Sequence, residues 1–73
     1  MYNQKIKELR ERKGLYQSDI ATLLDTSQQQ YSRYENGTEM PYSLLIKLSI
    51  FYETSVDYIL GLTNVKEPYP RKR

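Results

Sequence analysis

The 73-residue chain contains no cysteine and no histidine. That double absence excludes a disulfide scaffold, a zinc site built on Cys or His, and catalysis through a thiolate or an imidazole. It also fits a reducing compartment, so a cytoplasmic location is expected. No apolar run approaches the roughly 20 residues of a membrane span. The N-terminus does not read as a signal peptide, because residues 5–13 are too charged. At this length one domain is expected, and a domain so small buries only about 60% of the surface its unfolded chain exposes. Its core must therefore be compact and built mainly from local contacts.

The charge balance is nearly even, with 11 basic and 9 acidic residues and a net charge of +2. That sum alone says little about nucleic acid. Its distribution says more: Lys5, Lys7, Arg10, Arg12 and Lys13 crowd the first segment, and Arg71, Lys72 and Arg73 close the chain. A basic face is possible without a basic protein.

The pattern reads as five helices with no strand-like alternation. Asn3 is placed to cap the first, with Tyr2, Ile6 and Leu9 on its apolar stripe and Gly14 as a left-handed stop. A second helix over residues 17–24 turns Ile20, Ala21 and Leu24 inward. Asp25 follows where the chain must adopt a positive φ. Ser27 opens a third helix, and Ser27-Gln28-Gln29-Gln30 matches a capping box in which Gln30 reaches back to the cap amide. Tyr31 and Tyr34 face inward, their hydroxyls and that of Tyr52 expected to reach the rim or find a partner, and Asn36-Gly37 ends the helix. After a loop over residues 38–41, a fourth helix runs to about residue 53 with Leu45, Leu48, Ser49 and Tyr52 inward. Ser55 caps a short fifth helix holding Val56, Ile59 and Leu60, and Gly61 stops it.

The outward residues of the third helix carry the chemistry. Gln28, Gln29, Ser32 and Arg33 would stand on its solvent side, where an ordinary helix more often carries Glu and Lys. Gln can bond adenine N6 and N7 together, and Arg can bond guanine O6 and N7 together. Two helices joined by a tight turn, the second bearing such side chains, form the arrangement whose second helix enters the DNA major groove. The bland alternative, a polar helix start, explains the glutamines but not the flanking pattern.

The residues Leu9-Arg10, Gln17, Ile20-Ala21, Ser27-Gln28, Ser32-Arg33, Glu35-Asn36-Gly37, Pro41 and the run from Ser55 through Val56, Asp57, Tyr58, Ile59 and Leu60 to Gly61 carry a resemblance. The chain resembles the phage repressor/Cro-like, or xenobiotic-response-element, helix-turn-helix family over roughly residues 3–61. The resemblance implies an all-α, compact five-helix, lambda-repressor-like domain over residues 1–62, leaving residues 63–73 as a mobile basic tail. It implies base reading by Gln28, Gln29, Ser32 and Arg33, phosphate contacts from Gln17, Ser27 and Asn36, and a structural ion pair between Arg10 and Glu35. This chain departs from the family pattern in four places. Tyr16 stands where a Thr usually caps the second helix, and Asp25 replaces a usual Gly. Tyr31 and Tyr34 replace aliphatic or Trp residues, and Glu39 sits in a loop that is often basic.

The fourth helix carries more apolar residues than one stripe needs: Leu44, Ile46, Ile50 and Phe51, with Tyr58 and Leu62 close behind. A two-fold homodimer through the last two helices, using Leu44, Phe51, Tyr58 and Leu62, is the expectation, and the family often dimerises there. The expected function is a sequence-specific regulator of transcription that binds double-stranded DNA, a repressor, with no cofactor and no metal. With no room for a sensing domain, its control would come from concentration, a regulatory protein partner or degradation. The rival is a protein-interaction module that keeps the fold without binding DNA. An enzyme is disfavoured, because no motif places a pair of carboxylates.

Overall fold

A computed structural model describes residues 2–67. Helix α1 spans Tyr2–Arg12, α2 Gln17–Leu23, α3 Gln28–Glu35, α4 Tyr42–Phe51 and α5 Val56–Leu60, and there is no strand among the described residues. Helix α3 packs on α2 and α1, while α5 packs on α1 and α4. Ile6 and Leu9 from α1, Ile20 and Ala21 from α2, Tyr31 and Tyr34 from α3, Leu45 and Leu48 from α4 and Ile59 from α5 meet in one buried cluster. Each stripe expected from the 3.6-residue period therefore contributes to a common core.

The helix ends share one solution. The amide after the reversal bonds a carbonyl five residues back in Leu15→Arg10, Thr26→Ala21, Thr38→Arg33, Thr54→Ser49 and Leu62→Asp57, all at 2.9–3.2 Å. This Schellman pattern needs a left-handed residue just before the donor. Gly14, Gly37 and Gly61 supply it for α1, α3 and α5, whereas Asp25 (φ 55°) and Glu53 (φ 53°) supply it for α2 and α4. Asp25 stands where a positive φ was expected. Glu53 was not foreseen: α4 ends at Phe51, and the chain reverses at the glutamate instead of continuing through it.

Three local expectations are corrected. Asn3 is no cap: it sits inside α1, is 5% exposed, and its Nδ2 donates to Tyr34 O at 2.7 Å and Thr38 O at 3.1 Å. The carbonyls at the end of α3 outcompete the helix start for its amide. Ser27 Oγ does accept from Gln30 N at 3.0 Å, but the reciprocal half of the capping box is not formed; the Gln30 Oε1 instead accepts from Arg33 Nη1 at 3.4 Å. The buried Tyr31 and Tyr52 hydroxyls have no hydrogen-bond partner.

At α2 the Tyr16 side chain makes no capping bond, and the Asp19 carboxylate accepts from the Tyr16 amide at 2.8 Å in its place. The loop between α3 and α4 is not loose. Met40 is buried in the core, and its amide donates to the Tyr2 hydroxyl at 2.7 Å. Beyond α5, Lys66 O accepts from Thr54 Oγ1 at 2.6 Å. Most of the tail expected to be basic, including Arg71, Lys72 and Arg73, lies outside the described residues.

Candidate nucleic-acid interface

The candidate interface is built from α2, the turn and α3. At 3.6 residues per turn, Gln28, Gln29, Ser32, Arg33 and Asn36 fall within an arc of about 140° on α3. Gln28, Gln29, Arg33 and Asn36 are exposed and Ser32 is half-buried. The rest of the circumference carries Tyr31, Tyr34 and Glu35, all buried. One face of α3 is thus fixed in the core while the other is presented to solvent.

Glu35 is what fixes it. Its carboxylate accepts from Arg10 Nε at 2.7 Å, Arg10 Nη2 at 3.2 Å and Gln17 Nε2 at 3.0 Å. Arg10 Nη1 donates to Leu15 O at 2.8 Å. One carboxylate therefore ties α3 to α1 and to the start of α2. The Arg10 and Glu35 side chains are 11% and 2% exposed, so the pair is shielded from water. Burial pushes the Glu35 carboxyl up, but the hydrogen bonds from Arg10 and Gln17, with the Tyr31 hydroxyl close by, outweigh it and hold it below the usual carboxylate value. The Tyr31 hydroxyl faces that carboxylate without reaching good hydrogen-bond geometry. The same carboxylate raises the Arg10 guanidinium above its ordinary value.

The residues expected at phosphates are already engaged, yet each keeps a donor. Gln17 uses one amide proton on Glu35, and a side-chain amide has two. Ser27 accepts from Gln30 N, which leaves its hydroxyl proton free to donate. Asn36 Nδ2 donates to Ser32 O at 2.8 Å, and its second contact, to Ser32 Oγ at 3.4 Å, is long and weak. The Arg33 guanidinium spends one N–H on the 3.4 Å contact with Gln30 and has four more.

Two positioning residues escaped the sequence reading. Asn3 holds the C-terminal end of α3 through Tyr34 O and Thr38 O, and its only sequence signal is a polar residue three positions before Ile6. The resemblance implies only a phosphate contact for Gln17, and its bond to Glu35, 18 residues away, has no local sequence signal. Of the four residues expected to form a dimer face, Leu44, Phe51 and Tyr58 are half-buried against their own core, and only Leu62, 73% exposed, stands clear. The clearly exposed apolar residues of α4 are instead Tyr42, Ile46 and Ile50.

Two helices held at a tight αL turn, the second pinned by a buried carboxylate and presenting a polar arc, make this a helix-turn-helix domain. The chain belongs to the helix-turn-helix family, whose model matches residues 6–59. It is similar to the uncharacterised HTH-type transcriptional regulator YobD of Bacillus subtilis (strain 168), 35% identical over 69 residues, covering 93% of this chain and 62% of that protein. It is also similar to the uncharacterised HTH-type transcriptional regulator YqaE of the same organism, 35% identical over 68 residues, covering 90% of this chain and 59% of that protein. The chain thus spans about three-fifths of the length of these curated relatives. No solved structure matches it. Among the described residues no helix is long and apolar enough to cross a membrane.

Proposed function

We propose that this chain is a sequence-specific, double-stranded-DNA-binding transcriptional regulator, a repressor, that reads the major groove with α3. The observation that carries the reading is the exposed Gln28-Gln29-Arg33 set on a helix whose other face is locked by the Arg10–Glu35–Gln17 network. Base contacts need long donors and acceptors held at a defined depth in the groove, and a fixed helix supplies that depth. Gln28 and Gln29 suit adenine, Arg33 suits guanine, and Ser32 adds a hydroxyl between them. Gln17, Ser27 and Asn36 supply phosphate contacts that set the register. Both relatives carry names of transcriptional regulators, which supports the same reading.

A two-fold dimer through α5 and its exit, with Leu62 and Tyr58 in the contact and Leu44 and Phe51 behind them, would set two copies of α3 about 34 Å apart. A protein acting on DNA this way works in the cytoplasm of a bacterium or from a phage genome, and nothing in its chemistry calls for catalysis.

Arg33→Ala tests the assignment on single-base variants of a preferred site, with affinity followed by fluorescence anisotropy. The expected loss is about 1–3 kcal/mol, with preference relaxed at one base position. An equal loss on every sequence would make Arg33 a phosphate contact and remove the base-reading role.

A further inference from the structure

A shallow apolar groove takes no residue of α3 into its lining. It is lined by Leu23 at the end of α2 and by Lys47, Ile50 and Phe51 on α4, with a volume of about 370 Å³. Leu23 and Ile50 are 39% and 52% exposed. Ile46, one turn before Ile50 and 39% exposed, extends the same stripe along α4. A helix of this size normally turns its apolar residues to one side, but α4 is apolar nearly all round. The core takes Leu45, Leu48 and Ser49 from α4, and Ile46 and Ile50 lie outside it.

Charge identifies the occupant. Lys47 is part of the lining, and the Lys13 ammonium lies 5.4 Å from the Phe51 ring centroid. Two cations therefore flank the apolar floor, and no carboxylate lines it. A second copy docked here by a two-fold axis would bring Lys47 toward Lys47 with no acid from either lining between them. A cationic partner meets the same repulsion.

We propose that this groove is a docking site for an amphipathic helix of a different protein, one that places aliphatic residues at i and i+4 on the floor and acidic residues toward Lys47 and Lys13. Helix-in-groove recognition uses that spacing of anchors, with flanking charge selecting the partner. The site gives the regulator a protein input that leaves the polar arc of α3 free, and it does not depend on the DNA-binding reading.

The test uses the full chain, ¹⁵N-labelled, titrated with two synthetic 16-residue helical peptides. Both carry the same leucine stripe; one is flanked by glutamates, the other by lysines. The glutamate peptide is expected to bind saturably, shifting the amide signals of Leu23, Lys47, Ile50 and Phe51, while the lysine peptide leaves them unmoved. Ile50→Asp should weaken binding at least tenfold, and Lys47→Glu should favour the lysine peptide. Both positions are exposed, and an unchanged melting temperature would confirm that the variants fold. Equal response to both peptides, shifts mapping elsewhere, or no saturation at millimolar peptide would overturn the proposal. So would light scattering that shows a wild-type dimer converted to monomer by Ile50→Asp, because the groove would then belong to a second copy.

Discussion

Replacing Glu35 with alanine should come close to unfolding the protein. The carboxylate takes three N–H donors, at 2.7, 3.2 and 3.0 Å, from Arg10 and Gln17. Without it Arg10, its side chain 11% exposed, keeps only the 2.8 Å bond to Leu15 O and becomes a shielded charge without a counter-ion. Removing one member of a buried ion pair costs about 3–5 kcal/mol. A chain of this length is worth only about 4–11 kcal/mol in total, at about 0.05–0.15 kcal/mol per residue. At about 4–8 °C per kcal/mol for a small domain, the melting temperature should fall by at least about 12 °C. Thermal and urea unfolding followed by circular dichroism measure this directly. The double variant should behave differently. Arg10→Met with Glu35→Leu replaces the pair with apolar groups, and such swaps are often neutral or stabilising, so it should recover most of the loss. A single-variant cost below about 1 kcal/mol, or a double variant as unstable as the sum of the singles, would refute the description of Glu35 as a shielded hub.

Three further outcomes follow from the same structure. Because the Glu35 carboxyl is held below its ordinary value of 4.5, it binds a proton more readily unfolded than folded. Its contribution is complete above about pH 4.5 and is lost as pH falls through the folded value; a urea-midpoint profile should show that acid limb, flattened in Glu35→Gln. Burial pushes the Tyr52 phenol up to about 12, and its hydroxyl has no partner. Tyr52→Phe should therefore be neutral or stabilising by up to about 1 kcal/mol in chemical denaturation, since it removes an unsatisfied buried group. Glu53 adopts a φ of 53° with no glycine to relieve it. Glu53→Gly should stabilise by about 0.5–1 kcal/mol, relief of left-handed strain exceeding the added chain entropy, and a lowered melting temperature would contradict this.

The sequence made the helical framework readable because the apolar period, the three glycines and the Ser27 and Ser55 caps all agree locally. It exposed the outward arc of α3 for the same reason: once Tyr31 and Tyr34 are inward, Gln28, Gln29 and Arg33 have only solvent to face. What it hid depends on distance along the chain. Asn3 looked like a cap because Asn favours helix starts, but its amide bonds carbonyls 31 and 35 residues away. Glu53 gave no sign of a reversal, because a glutamate is an ordinary helix former until a Schellman closure needs the position. Composition rightly suggested that α4 was over-supplied with apolar residues, but which of them stay exposed is decided by the rotation of α4 against its neighbours. That rotation half-buries Leu44 and Phe51 and leaves Ile46 and Ile50 outside.

The central claim is that the arc of α3 reads DNA sequence. Selection of the wild-type chain against a random duplex library, followed by a salt titration on the winning sequence, tests it most directly. The account predicts an enriched palindrome, with half-sites centred about one helical turn apart and affinity falling steeply as salt rises. No enrichment, or equal binding to every duplex, would contradict it.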